Sequence, residues 1–212
     1  MISAQKLALN ARKTPRQARS ATTVEAIFEA AIQVLLAEGP ARLTTTRVAE
    51  RAGVSVGSLY QYFPNKQALF YALNERYLNM LAERVEAACR AHHGKPYAQM
   101  TDALVSTYIQ VKIERRDVTS ALYRAAAEVN VAEIVEAMSR RVEAASEAMF
   151  ASASDAKFND LAAVNLTLSN VLCGTLCNVF TRNMPEIIVD GSLQSQLTLM
   201  FCAYLKAAKR VS

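Results

Sequence analysis

Apolar residues recur along this chain at helical spacing. Val24, Ile27, Phe28, Ala31, Val34 and Leu35 fall three and four apart, on one face of a helix. Thr22 and Glu25 form a T-x-x-E capping box that predicts where this helix begins, and Gly39-Pro40 predicts where it stops. Val48, Ala49 and Ala52 mark a short helix, with Glu50 and Arg51 turned outward and Thr44 at its start. After Pro64, Asn65 is placed to cap a long helix whose apolar row is Leu69, Leu73, Tyr77, Met80, Leu81, Val85 and Ala88, with the stem of Arg84 in line; it should end near His92–Gly94. Pro96 opens a segment with Met100, Leu104, Tyr108, Val111 and Ile113 inward. Asp117 is read as the N-cap of a helix over 118–129, and another helix follows over roughly 131–152. Alternating β-branched runs with hairpin turns are missing, so the expected class is all-α.

Two late segments differ in character. Over 158–183 the apolar positions run nearly all the way round the helix, which predicts burial on more than one side. Over 192–208, Leu193, Leu197, Met200, Phe201, Tyr204, Leu205 and Ala208 make a single stripe. Paired with a second copy, these helices would form a four-helix bundle about a two-fold axis, with Leu161, Leu168, Leu172, Leu176, Leu197, Met200, Phe201 and Tyr204 facing the partner. Gly174 and Ala162 would permit close helix approach. The alternative is that one helix simply covers the other within a single chain.

Composition narrows the picture. The 212 residues are long enough for a sizeable core, and 52% hydrophobic with 20% charged is a globular balance. No run of about 18 uncharged apolar residues occurs, so no transmembrane helix is expected. The basic N-terminus has no apolar stretch of the kind a secretory signal carries. Cys89, Cys173, Cys177 and Cys202 form no C-x-x-C, which suggests reduced thiols in a cytoplasmic protein. The formal charge of +5 is localised. Residues 1–20 carry Lys6, Arg12, Lys13, Arg16 and Arg19 and no acid, whereas 21–66 balance four bases against four acids and 67–212 balance 15 against 15. A basic arm of this kind suits a polyanion such as DNA, or serves only as a solubilising tail.

One stretch admits two chemistries. Gly53-Val54-Ser55-Val56-Gly57 matches G-x-S-x-G, the turn that presents a nucleophilic serine in esterases. That turn needs a buried strand before it, and then an acid and a histidine downstream. Here a helix precedes it, and the only histidines are the adjacent His92 and His93. A helix-turn-helix uses every residue of the stretch instead. Gly53 takes the left-handed turn, Val54 plugs it and Ser55 caps the next helix. Val56, Gly57 and Ser58 are small, so that helix's N-terminus can approach a phosphate, which its orphan N–H groups and dipole favour. Leu59 and Phe63 face inward, leaving Tyr60, Gln61 and Tyr62 mostly outward, a set suited to base edges, thymine methyls and phosphates in a major groove; either tyrosine alone is equally readable as packing, but not both. Lys66 is placed to pair with a phosphate.

The run TTTRVAERAGVSVGSLYQYFPNKQALFYAL resembles the DNA-binding segment of the TetR family of transcriptional regulators, with the likeness extending from about Thr22 to Leu73. The resemblance implies a homodimer with an N-terminal three-helix DNA-binding domain and a C-terminal helical domain for effector binding and dimerisation. On this division residues 1–20 are the arm, 21–66 the helix-turn-helix domain and 67–212 the effector and dimerisation domain. The resemblance places Thr44, Thr45, Ser55, Tyr62 and Lys66 at phosphate, Val56, Gly57, Ser58, Tyr60 and Gln61 near bases, and Arg16 and Arg19 on backbone or minor groove. Val56 departs from relatives that read a base with a polar side chain there, which leaves apolar contact with a thymine methyl.

The implied partners are a palindromic double-stranded operator, a second copy of the chain and a small-molecule effector, with no enzyme activity, cofactor, metal or membrane. Effector-pocket candidates are Tyr77, Met80, Met100, Leu104, Tyr108, Tyr123, Met138, Met149, Asn170 and Cys177, because methionines and tyrosines line adaptable apolar pockets. Each is equally readable as plain core. Cys173 and Cys177, four apart on one face, also admit a thiol sensor or a soft-metal site. A protein partner in place of a ligand is the alternative input. Operator sequence, effector identity, regulated genes and the sign of regulation are not written in the chain.

Overall fold

The computed structural model describes residues 18–126, 129–182, 184 and 186–210. In chain order the helices are α1 (Ala18–Glu38), α2 (Thr45–Ala52), α3 (Val56–Tyr62), α4 (Lys66–Ala91), α5 (Tyr97–Glu114), α6 (Arg116–Ala125), α7 (Ala132–Ala151), α8 (Leu161–Thr181), α9 (Glu186–Val189) and α10 (Ser192–Ala208), with a 3-10 turn at Pro40–Arg42. Among the described residues the only β pairing is an isolated bridge between Phe158 and Lys209. The fold is all-α, with an N-terminal helix-turn-helix domain and a C-terminal helical domain.

The helix starts show which local signals govern. Asn65 Oδ1 accepts from the Ala68 N–H at 2.7 Å, and Asp160 Oδ1 from Ala163 at 3.1 Å, so side chains satisfy N–H groups that the helices leave orphaned. Two expected starts move. Thr22 lies within α1, because helical pairing continues back to Ala18 and overrides the capping box. Asp117 lies in the first turn of α6 rather than at its cap.

The chain divides into two compact units: one runs to Tyr77 and includes Ser120–Ala132, and the other comprises Leu78–Thr119 and Glu133 onward. In the first unit, α1 packs on α2 and α2 on α3. Ile27, Ala31, Val34, Leu35, Val48, Leu59, Phe63 and Leu69 are at most 2% exposed, so the predicted stripes share one core. Phe28 packs against Phe63 with ring centres 5.5 Å apart and ring planes tilted by 52°. Arg76 on α4 pairs with Glu25 on α1 while its guanidinium lies over the Phe28 ring. The hydrogen bond to Glu25 holds the guanidinium above its ordinary value.

In the second unit, α10 packs on α5, α8 and α9. Arg141 on α7 grips both oxygens of Glu86 on α4 (2.7 and 3.0 Å) and also donates to Asn79 at 3.0 Å. That fork holds the Glu86 carboxyl below the ordinary carboxylate range. Ser146 on α7 donates to Asn165 on α8 at 2.7 Å, and Asn165 donates to the Glu143 carbonyl, which satisfies a buried polar pair between these helices. By length and composition α1 and α8 pass for membrane spans, yet each lays a buried face into its own unit.

Candidate functional site

The turn between α2 and α3 is built by local chemistry. Thr44 Oγ1 accepts from Arg47 N at 3.3 Å and so caps α2. Gly53 ends α2 with φ 67° and ψ 28°, the left-handed conformation in which a side chain would be strained. Ser55 Oγ accepts from Ser58 N at 3.0 Å and caps α3. Gly57 sits exposed in the first turn of α3, where an added Cβ would meet only Ser55 Oγ, at 3.8 Å. Nothing within the chain therefore requires glycine at that position.

The face presented by this motif is specific in what it exposes. Thr44, Ser55, Gly57, Tyr60 and Gln61 are exposed, and Val56, Ser58 and Lys66 are half-buried. Thr45 is buried, and its hydroxyl is 3.1 Å from the Tyr60 hydroxyl, so the outward tyrosine is tethered to α2. Tyr62 departs from its expected outward position and is only 8% exposed. The reason is the helical period: Leu59, Tyr62 and Phe63 fall at i, i+3 and i+4, one inward face. Lys66 Nζ donates to the Pro40 carbonyl at 3.0 Å, so phosphate would have to share or displace that bond. Arg47 pairs with Glu38, and Arg51 donates to Gln33 at 3.3 Å. Arg16 lies outside the described residues, and Arg19 lies in the first turn of α1.

The second unit contains a small cavity, about 50 Å³, between α5, α7 and α8. Leu104, Tyr108, Met138 and Asn170 from the expected pocket line it, together with Ser139, Val142, Glu143, Ser169, Leu172 and Cys173. The other candidates lie elsewhere. Met100 and Met149 are fully buried packing residues, Met80 is 37% exposed, and Tyr77 and Tyr123 belong to the first unit. Cys177 is half-buried, and its thiol is pushed up by burial and by the neighbouring Cys173, which disfavours reaction as a thiolate.

A residue missed at the sequence level lies on α5 with two of these. Lys112 is 1% exposed, four residues after Tyr108 and eight after Leu104 on α5. That spacing was the signal, because it continues the apolar row; its charge argued for the outside.

The residues expected at a partner also sort in an unexpected way. Leu168, Leu172, Leu176, Leu197 and Phe201 are at most 3% exposed, buried in the chain's own second unit where α10 packs on α5 and α8. Leu161 is half-buried, and Met200 and Tyr204 face outward. The outward stripe of α8 is Ala162, Ala163, Leu166, Asn170 and Gly174, and that of α10 is Leu199, Met200, Ala203, Tyr204 and Ala207.

An all-helical chain that presents a capped, glycine-turned helix pair at one end is a helix-turn-helix protein by its geometry. Residues 20–73 match the model for bacterial regulatory proteins of the tetR family, and residues 96–205 match the tetracyclin repressor-like C-terminal domain. The chain belongs to the TetR family of bacterial regulatory proteins. It is similar to the nucleoid occlusion factor SlmA of Haemophilus ducreyi (strain 35000HP / ATCC 700724), 36% identical over 97 residues, which is 45% of this chain and 47% of that protein. The chain thus spans about half the length of the curated relatives it matches. A TetR-family regulator from Streptomyces coelicolor shares the fold with a TM-score of 0.62 at 25% identity, over 89% of this chain and 98% of that one. SmeT, solved as a triclosan complex, aligns with a TM-score of 0.63 at 23% identity, over 84% and 90%.

Proposed function

We propose that this chain acts as a cytoplasmic homodimeric repressor that binds a palindromic DNA operator through α2 and α3 and is released when a small molecule enters its C-terminal part. The observation that carries the DNA reading is the start of α3. Ser55 caps the Ser58 N–H, the small residues Gly57 and Ser58 keep that helix end low, and Tyr60 and Gln61 stand exposed beside it. Thr44, Thr45, Ser55, Tyr62 and Lys66 are the proposed phosphate set, joined by Arg16 and Arg19, and Val56, Gly57, Ser58, Tyr60 and Gln61 the proposed base set. Residues 21–66 form the DNA-binding domain on this reading, and 67–212 the effector and dimerisation domain.

The outward stripes of α8 and α10 supply the surface for a second copy. They set small residues, Ala162, Ala163 and Gly174, beside large apolar ones, Leu166, Leu199 and Met200, a combination that permits close helix packing. Two copies would then present two recognition helices to half-sites about one helical turn apart. Effector binding would shift the dimer toward a spacing that no longer fits. SmeT, a protein of this fold solved with triclosan, is a precedent for small-molecule binding in this architecture.

A second reading has an observation in its favour. A cavity near 50 Å³ is far below the roughly 300–1,000 Å³ of established ligand sites. A regulator with this fold whose input is another protein, or which has no input, needs no larger space, and SlmA is named for nucleoid occlusion. Selection of bound fragments from random DNA, followed by a screen for compounds that release the selected duplex, separates the readings. A palindromic consensus with a releasing compound supports the first. A consensus that no compound releases favours the second. Failure to enrich any sequence would refute operator binding, and a monomer by light scattering at micromolar concentration would refute the dimer.

A further inference from the structure

Ser169, Cys173 and Cys177 follow one another at four-residue steps on α8, so they share one face of that unbroken helix. Both cysteines are half-buried, whereas Cys89 is closed off in the core and Cys202 is carried by α10. Ser169 and Cys173 line the cavity between α5, α7 and α8, and Cys177 stands one turn further along α8. The two thiols are close enough for the charge of Cys173 to act on Cys177.

That spacing selects among thiol chemistries. A helix sets the Cβ atoms of residues four apart at about 5–6 Å. A disulfide needs about 3.5–4.5 Å, so this pair cannot close into one while α8 stays helical. A metal–thiolate bond runs to about 2.3 Å, so an ion between two opposed sulfurs spans about 4.6 Å, within reach of staggered rotamers on such a helix. Coordination number narrows the ion further. Among the described residues no group of three or more cysteine, histidine, aspartate or glutamate side chains could hold a metal ion, which leaves zinc short of the ligands it takes. Thiolates favour copper(I), an ion that two collinear sulfurs satisfy. The cavity beside Cys173, about 50 Å³, is small for an organic ligand yet has room for a single ion. We propose that Cys173 and Cys177 are the two ligands of a soft-metal site that takes copper(I). Each thiol gives its proton to solvent as its sulfur bonds the ion, so two protons leave for each copper(I) bound and no electron moves. Burial holds the Cys177 thiol protonated until an ion displaces that proton. Copper binding here requires neither operator binding nor an organic effector.

The test uses the reduced full-length protein under argon, with copper(I) supplied as its coloured bathocuproine disulfonate complex. Fading of that colour should show one copper withdrawn per chain. Cys173→Ser and Cys177→Ser should each weaken uptake by more than the roughly 10–100-fold that loss of a mere supporting partner costs. Cys202→Ser should leave uptake unchanged. Zinc(II) should bind the wild type no more tightly than it binds the variant with both Cys173→Ser and Cys177→Ser. X-ray absorption of the copper-loaded wild type should show two sulfur neighbours at the metal, a measurement that needs no variant to fold. Failure to withdraw copper, a third ligand at the metal, or an equal loss from Cys202→Ser would overturn the proposal. A disulfide between Cys173 and Cys177 that forms in air, detected by mass spectrometry of the peptides, would overturn it as well, because the pair would then close to a spacing that excludes the ion.

Discussion

Replacing Gly57 with alanine separates the demands of the chain from those of DNA. In the free protein the new methyl would face open space, with Ser55 Oγ at 3.8 Å as its nearest neighbour, an ordinary van der Waals distance. Gly57 lies in the first turn of α3, where the glycine cost is smaller than the ~1 kcal/mol seen in a helix interior. Alanine also narrows the unfolded ensemble, which stabilises by about 0.4–1 kcal/mol. A gain of about 0.5 kcal/mol should raise the melting temperature by roughly 1–2 °C for a chain of this size. On DNA the same methyl would stand between the α3 N–H groups and the phosphate or base edge they approach. Pushing that contact outward should weaken binding at least tenfold, which is about 1.4 kcal/mol. Thermal unfolding by circular dichroism and anisotropy titration of the selected duplex measure the two effects. A variant that melts slightly higher and binds with unchanged affinity would refute close approach at Gly57. A variant that melts several degrees lower would show that the chain itself needs the glycine.

Other perturbations probe other parts of the molecule. Ser55→Ala removes the cap on the Ser58 N–H and should cost about 1 kcal/mol of stability together with DNA affinity; esterase turnover in the wild type that vanishes with Ser55 would restore the nucleophile reading. Thr45→Val and Tyr60→Phe each break the same 3.1 Å bond, so the double variant should lose little more stability than either single one, and strict additivity in urea unfolding would argue against the tether. Because Lys112 falls from its ordinary 10.5 to about 8 in the fold, the unfolded chain binds the extra proton between those values. Wild-type stability should therefore climb as pH rises from about 8 toward 10.5, recovering a penalty of roughly 3 kcal/mol that is fully present below pH 8. Lys112→Met should be the more stable protein at pH 7 and lose that climb, and parallel pH profiles in urea would refute the assignment. Replacing Arg16 and Arg19 together with alanine should flatten the dependence of log affinity on log salt by about 0.9 for each phosphate that the arm no longer neutralises, and an unchanged slope would remove the arm from the interface.

The helix-turn-helix was legible because its determinants are local. Gly53 needs only its own backbone to mark the turn, and Ser55 only the N–H three residues on. What the chain hid depended on packing between elements distant in sequence. Tyr62 carries a hydroxyl and sits beside exposed residues, yet its spacing from Leu59 sends the ring inward. The all-round apolar pattern of α8 predicts two covered sides without saying which one the chain itself covers. It therefore points Leu168, Leu172 and Leu176 at a partner, although the chain's own second unit buries them. Lys112 obeys the apolar period, but its charge argues for solvent, and only the packing of α5 decides between the two.

On the proposed docking of α3 in a groove, the bond between Thr45 and Tyr60 would bear on which bases the chain reads. With its hydroxyl occupied at 3.1 Å, Tyr60 offers mainly ring carbon to a groove, and Val56 beside it offers only methyl groups. Such a surface responds to the methyl at position 5 of a pyrimidine, which distinguishes thymine from uracil and 5-methylcytosine from cytosine alike. On this reading, enzymatic methylation of a cytosine within the operator would write a new letter into the site, and the regulator's grip would register which cytosines its host has modified.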